Sequence, residues 1–442
     1  MRDVRSQSVE ILCDGGGQRR KSLAAAFTGL PWRLLLGTAL PCLLLFILAG
    51  PGFAQAGKDG ASNQEEEKFK GVDPYTKGDP ETLQKAGYKS LAPFSFAQGI
   101  SAEEMHEVLG GIEVLWAETA HFKICSSLKT YKSKSDSPEN EALDKDLALL
   151  AKRIPGFRPL KRNQQDPWLR LHLYALRLEM LYEEFCARTG FRDADFPPLG
   201  TTNTMGSGPY LGQKLKPTIL LAEKRSALGR FNLRYAKSEE SGSHRAQLEG
   251  GSIFFGISAE SMREAGFELD IAMHCAIVAG VTANMLDGLR DSYWATPLWF
   301  DMGLGHWFSR RVDKRFTYYA NGTSRYTDDD LSEWQPRVRG LVDNKFPYSW
   351  QDMLETLDWK QLTPQAHMLM WSRVDWMLQQ EGKTLRAFME PISVPLTQSS
   401  PEERNKAQVE RATKGLSDCF GQSVADLDRT WATWVLKTYA RK

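Results

Sequence analysis

Only seven histidines occur in the 442-residue chain, and two of them lie in apolar segments near its centre. His274 belongs to the stretch ELDIAMHCAIVAG, and His306 follows Asp301 in the stretch TPLWFDMGLGHWF. Imidazole nitrogens and carboxylate oxygens are common zinc ligands, and a zinc ion with an open coordination position activates water for hydrolysis. His274, Asp301 and His306 therefore form one candidate metal site.

A metal site requires these three side chains to converge on one point. Asp301 and His306 are five positions apart, so on one helix they point in different directions. A lone histidine on an apolar helix is more often a hydrogen-bonded core residue than a ligand, and this is how we interpret His274. A metallohydrolase with His274, Asp301 and His306 as atypical ligands stays open as an alternative.

Two neighbouring segments carry a peptidase-like pattern. The segment AGVTANML spans residues 279–286, and PLWFDMGLGHWF spans residues 297–308. The first resembles H-E-x-T-H-x-L-L and the second resembles P-x-W-L-x-E-G, the two ligand segments of gluzincins, the thermolysin-like zinc metallopeptidases of the peptidase-MA-like group. In such peptidases the two His and the later Glu hold zinc, and the first Glu activates the bound water.

The ligand positions implied by this resemblance hold other residues. Ala279, Gly280 and Ala283 stand in place of His, Glu and His, and Met302 stands in place of the later Glu. Ala and Gly offer no ligand atom, and a thioether is a poor zinc ligand. We expect Met302 to plug the metal's volume, which small side chains opposite would repack as apolar core. The resemblance therefore implies a degenerate site without zinc or another cofactor.

A second register of the first motif is less favoured. It places His274 at the first ligand position and Cys275 and Val278 at the next two. At most one of the three ligands survives in either register. The first register matches more of the flanking residues and leaves a shorter gap to Pro297.

The resemblance covers roughly Ala120 to the C-terminus and implies an α+β, gluzincin-like fold. It implies a small mixed sheet with helices in an N-terminal half, residues 98–267, and a mainly helical half at residues 268–442. Local patterns agree with this order. Strands are predicted in AHFKICSSL, KPTILLA and GGSIFFGIS, and helices in SAEEMHEVLGG, DPWLRLHLYALRLEMLYEEFCARTG, ELDIAMHCAIVAGVTANMLDGLRD and TPQAHMLMWSRVDWMLQQ.

The N-terminal residues have the order of a secretory signal peptide. Basic GQRRKS precedes the apolar run RLLLGTALPCLLLFILAG, and small residues at Ala54 and Ala56 form a cleavage pattern. We predict a signal peptide at residues 1–56, cleaved after Ala56, and a disordered linker at residues 57–97. The protein is then secreted or periplasmic, with no membrane span after cleavage; an uncleaved anchor is the alternative.

Charge and cysteine content exclude some classes of protein. Beyond residue 56 the chain has 50 Lys and Arg against 52 Asp and Glu residues, so no bulk charge attracts nucleic acid. Its four remaining cysteines, Cys125, Cys186, Cys275 and Cys419, are widely spaced and form no CxxC pair, which excludes a zinc ribbon. Cys275, in an apolar helix, is predicted to be a buried thiol.

The sequence thus predicts an exported, non-catalytic pseudo-peptidase. A retained cleft could bind an extended peptide or another envelope component along a sheet edge, a mode that needs no metal. The alternatives are the metallohydrolase with atypical ligands and a purely structural envelope protein. Ligand, partner and oligomeric state are left open.

Overall fold

The computed structural model describes residues 71–161, 164–197, 206–289, 296–317, 332–380, 384–392, 396–397 and 400–441. The predicted signal peptide, residues 1–56, and the first part of the predicted linker lie outside the described residues. Those described belong to one compact unit.

Short apolar runs between residues 115 and 258 form a five-stranded mixed sheet. Its strand order is β1-β2-β5-β7-β6, with β2, β5 and β7 parallel and the outer strands β1 and β6 antiparallel to their neighbours. A second, two-stranded ladder joins β3 to β4. The strands are β1 Leu115–Glu118, β2 Lys123–Ser126, β3 Tyr131–Lys132, β4 Gln164–Gln165, β5 Thr218–Ala222, β6 Ser243–Gln247 and β7 Ile253–Ser258.

The α-helices precede, interrupt and follow the sheet. They are α1 Pro80–Ala86, α2 Ala102–Val108, α3 Asn140–Arg153, α4 Pro167–Thr189, α5 Arg225–Phe231, α6 Ala259–Glu264, α7 Asp270–Gly288, α8 Leu298–Val312, α9 Trp334–Asp343, α10 Trp350–Glu355, α11 Pro364–Leu378, α12 Thr384–Ile392, α13 Pro401–Phe420 and α14 Val424–Thr438. A π-helical turn, Asn232–Ala236, follows α5, and 3-10 turns lie at Asp193–Asp195 and Trp359–Gln361. The described residues from 268 onward form helices and their connections.

The alternation of side chains along the strands gives the sheet two buried faces. Ile219 and Phe255 belong to the large core that contains α4 and α7. Leu220 and Phe254 belong to a smaller core under α2 and α5. The predicted α+β architecture, a small mixed sheet followed by a helical C-terminal half, is confirmed at this level.

Helix α7 is the central buried helix that its all-round apolar sequence predicts. All of its 19 residues are buried except His274, Ala279 and Gly280. Its length and composition also satisfy the criteria for a membrane-spanning helix, although no span was expected beyond the leader. The burial of this helix inside the fold accounts for the same composition.

The prediction of a disordered linker through residue 97 is wrong for residues 71–97. This segment contains α1 and packs against α4 through buried polar side chains. The Tyr75 hydroxyl donates to Asp166, and the Tyr88 hydroxyl lies 2.6 Å from Nδ1 of His172. Asp73 accepts from the other nitrogen of His172, at 3.0 Å. The polar composition of residues 71–97 gave no indication of this buried network.

Cys125, Cys186, Cys275 and Cys419 are all free thiols, and Cys125 and Cys275 are buried. The prediction of a buried single thiol at Cys275 is confirmed. Burial raises the pKa of the Cys125 thiol above its ordinary range.

Candidate functional site

Small residues on α7 allow it to lie close to both the sheet and α8. A Cβ atom at Gly280 would lie only 2.2 Å from Cε2 of Phe255 on β7. On the α8 side, a Cβ atom at Gly305 would lie 3.5 Å from the Ala279 carbonyl oxygen. The segment that resembles a zinc-binding helix is therefore in close contact with both of its neighbours.

Helix α8 lies between α7 and α11. Gly305 faces α7, whereas a Cβ atom at Gly303 would lie 2.6 Å from Cγ2 of Val374 and 2.8 Å from the Met370 carbonyl oxygen on α11. The two glycines of the MGLG sequence thus allow close packing on both sides of one helix. This close packing of α8 limits the positions that Asp301 and Met302, which precede the two glycines on the same helix, can take.

A buried ion cluster joins the edge strand β6 to α7 and α8. The Arg245 guanidinium donates to Asn284 Oδ1 at 3.0 Å, to Asp287 Oδ2 at 2.5 Å and to Asp301 Oδ2 at 3.2 Å. Asn284 and Asp287 are on α7, and Asp301 is on α8. The Thr296 hydroxyl is a further neighbour of Asp287, at 3.4 Å. One arginine therefore cross-links three elements.

Two polar atoms of this cluster are buried without a hydrogen bond to any residue that the structure describes. They are Oδ1 of Asp301 and Nδ2 of Asn284, an acceptor and a donor. Both residues are at least nine-tenths buried. Buried polar atoms of this kind are ordinarily hydrogen-bonded to protein or to ordered water. The space between α7 and α8 at this point is therefore polar and not filled by hydrocarbon.

The degenerate positions are on the two helices that this cluster joins, α7 and α8. Ala283 precedes Asn284 and is buried, and Met302 follows Asp301 and packs partly buried against the core. Ala279 and Gly280 are half-buried, which leaves some backbone of α7 accessible. The same two helices also carry a buried polar cluster that was not expected, formed by Asn284, Asp287 and Asp301 with Arg245.

The residues present do not fit a zinc ion. Ala279, Gly280 and Ala283 have no ligand atom, and Met302 offers only a thioether. The Arg245 guanidinium holds Asp301 and would repel a second cation nearby. We therefore derive no step of chemistry through a metal at these positions.

The atypical candidate ligands His274, Asp301 and His306 are not brought together. Among the described residues no three His, Cys, Asp or Glu side chains form a group suited to a metal ion. Asp301 is directed toward Arg245, and His306 Nε2 lies 2.9 Å from Nδ1 of His367 on α11. This agrees with the prediction that Asp301 and His306 point in different directions.

The electrostatics of these histidines are those of neutral core residues. His274 keeps some solvent exposure, but the packing around its ring excludes most water and, with Arg177 nearby, holds its pKa well below the ordinary value. The ring lies edge-on to Tyr174 at 6.4 Å. His274 makes no hydrogen bond to another residue in the described part of the chain, contrary to our expectation. Burial also holds the pKa of His306 well below its ordinary value and lowers that of His367 to about 3.

Arg245 is the site residue that sequence reasoning missed. It lies in SHRAQ, a polar segment without the apolar alternation of a strand. A signal was nevertheless present, because Asp287 and Asp301 occur in apolar helices and buried carboxylates need a cationic or hydrogen-bonding partner. The sequence did not indicate which of its many arginines would supply that partner.

Replacing Gly280 by alanine tests the close contact between α7 and the sheet. We expect the free energy of unfolding to fall by about 1–3 kcal/mol, because the new methyl group would overlap the Phe255 ring. Gly340→Ala in α9 is the matched control, since a Cβ there meets nothing within 4 Å and alanine favours helix by about 1 kcal/mol. Equal denaturation midpoints for the two variants would contradict the observed contact.

No family model, curated protein or solved structure matches this chain. Function therefore has to be argued from the residues and their arrangement.

Proposed function

We propose that this protein is an exported, non-catalytic peptide-binding protein built on a scaffold similar to that of gluzincin peptidases. The observation that carries the proposal is the Arg245 cluster, which joins the two helices that carry Ala279, Gly280, Ala283 and Met302. Where the resemblance implies a cation held between two helices, this chain has an arginine joining the same two helices. The helix pair is thereby kept in place without a zinc ligand.

The edge strand β6 supports peptide binding. The Gly242 carbonyl accepts from Ser258 N–H and Leu248 N–H donates to the Ser252 carbonyl, both at 2.8 Å. In an antiparallel pair this alternation turns the backbone groups of the odd-numbered residues of β6 away from β7. An added peptide strand would pair with such outward groups.

The accessible part of this edge lies at the Gln247 end. Ser243 and His244 are buried, whereas Gln247 is half-buried and the next residues but one, Glu249 and Gly250, are exposed. The backbone N–H and C=O of Gln247 make no hydrogen bond to other described residues. An extended peptide would add at this end of β6.

The test is binding of short unstructured peptides to the purified protein. Retained peptides would be identified from a mixed pool by mass spectrometry, and the best one would be measured by calorimetry. Gln247→Pro removes an outward N–H while leaving the ladder to β7 intact, and Gln247→Ala keeps that N–H. We expect Gln247→Pro to weaken binding by about tenfold, the effect of one or two lost hydrogen bonds, and Gln247→Ala to leave it unchanged.

Other outcomes separate the alternatives. Absence of any retained peptide, or equal affinity in Gln247→Pro, would contradict peptide addition at β6 and favour a structural role. Cleavage of the peptides that chelators abolish would instead favour a metallohydrolase.

A further inference from the structure

A pocket far along the chain from the degenerate site lies among α1, the turn between β1 and β2, the end of α3, and α4. Its volume is about 210 Å³. That is the space of about seven water molecules. Its floor is apolar, formed by Ala86, Leu150, Ile154, Ala175 and Leu176. A pocket with such a floor favours a small ligand with an apolar body.

The polar side chains on one wall of the pocket already interact with one another. His121 Nδ1 lies 2.6 Å from Glu179 Oε2, and His121 Nε2 lies 3.4 Å from Asp193 Oδ2. The imidazole also stacks on Tyr182 at 3.8 Å. Burial lowers the pKa of His121, but hydrogen bonds to Asp193 and Glu179 outweigh it and raise the pKa to about 9. The positive imidazolium therefore neutralises part of this acidic wall.

A second polar group on the wall, the Tyr88 phenol, is already hydrogen-bonded within the protein. Its oxygen lies 2.6 Å from Nδ1 of His172, and Nε2 of the same ring lies 3.0 Å from the Asp73 carboxylate. Tyr88 lines the pocket. Its phenol is therefore not a free donor for a ligand.

Arg153 is the lining cation without a partner among the described residues. It is the last residue of α3, is half-buried, and makes no ion pair or hydrogen bond with the residues that the structure describes. The other uncommitted charge on the lining, Glu183, is exposed and so remains well hydrated. A guanidinium beside an apolar floor recognises a carboxylate through paired hydrogen bonds.

We propose that this pocket binds a small organic monocarboxylate, with its carboxylate on Arg153 and an apolar body on the floor formed by Leu150, Ile154, Ala175 and Leu176. The volume accommodates a chain of about four to six carbons. This site is separate from the peptide-binding proposal and does not depend on it.

Hexanoate, hexylamine and hexanol are matched probes, because they share an apolar chain and differ in the head group. Binding to the purified protein would be measured by ligand-observed NMR and calorimetry. We expect hexanoate to bind saturably and the other two to bind about tenfold more weakly, because a charge-assisted hydrogen bond is lost. If hexanoate failed to saturate the protein at concentrations up to about 10 mM, the proposal would be overturned.

Variants locate the site. Arg153→Gln should weaken hexanoate binding by about tenfold and leave hexanol binding unchanged. Lys152→Gln, the exposed neighbour on α3, is the matched control and should bind as the parent does. Ala175→Leu should abolish binding of all three probes by filling the floor. Equal hexanoate affinity in Arg153→Gln and Lys152→Gln would overturn the proposal, and this comparison stands even if Ala175→Leu does not fold.

Discussion

Replacing Arg245 by methionine should lower the free energy of unfolding by about 3–5 kcal/mol. The substitution keeps much of the side-chain volume but removes the cation that Asp287 and Asp301 share. Both carboxylates would then be buried without their charge partner, and the links from β6 to α7 and α8 would be lost. Chemical denaturation followed by circular dichroism measures this change.

Arg225→Met is the matched control for the Arg245 experiment. Arg225 pairs with Glu264 at the surface, where both side chains are nearly half exposed, so its loss should cost about 1 kcal/mol or less. The triple variant Arg245→Met, Asp287→Asn, Asp301→Asn should recover much of the stability, because no unpaired charge remains. An Arg245→Met variant as stable as Arg225→Met would contradict the role that we assign to the cluster.

Removing the carboxylate of Asp270 should have a similarly large effect, about 3–5 kcal/mol for Asp270→Ala. Asp270 begins α7 and accepts hydrogen bonds from Arg170 at 2.6 Å, Tyr174 at 3.0 Å and Arg177 at 3.3 Å, all on α4. Burial alone would raise the pKa of Asp270, but Arg170 and Arg177 hold it below the ordinary value. Without this carboxylate, two buried arginines lose a shared partner.

Asp418→Ala provides the comparison for Asp270. Asp418 pairs with Lys414 one turn away on α13, and both side chains are largely exposed. We expect its loss to cost only a few tenths of a kcal/mol. If the two aspartate variants unfolded at the same denaturant concentration, the link between α4 and α7 through Asp270 would be without energetic importance.

Strong local patterns predicted the individual elements well. The helix predicted in DPWLRLHLYALRLEMLYEEFCARTG corresponds to α4, which has Asp166 as its N-cap and Gly190 as its C-cap. The helix predicted in SAEEMHEVLGG corresponds to α2, which begins with a capping box formed by Ser101 and Glu104. Both signals act within a few residues, so they can be recognised in the sequence alone.

Features that depend on distant partners were not predicted. Strand β6 is polar and short, and it forms because β7 provides a ladder for it. Asp73 lies in a Gly- and Lys-rich segment, yet it is buried because His172, far along the chain, bonds to it. Residues 71–97 were assigned to a linker because composition reports average polarity and not the pairing of individual polar groups.

The candidate site shows the same division between local and distant information. The small residues at Ala279, Gly280 and Ala283 and the thioether at Met302 could be read directly, and so could the absence of ligand atoms at these positions. The pairing of Arg245 with Asp301 could not be predicted from the sequence, because these two residues are separated along the chain by β7, α6 and α7. Pairing across the fold decided that this region became an ion cluster and not purely apolar packing.

Zinc content tests the central claim most directly. The purified protein, prepared without chelators and dialysed against buffer containing a slight excess of zinc and then zinc-free buffer, would be analysed by inductively coupled plasma mass spectrometry. The Arg245 cluster and the residues at the four ligand positions predict zinc far below one ion per chain. One tightly held zinc ion per chain, lost when His274, Asp301 or His306 is replaced by alanine, would contradict the account.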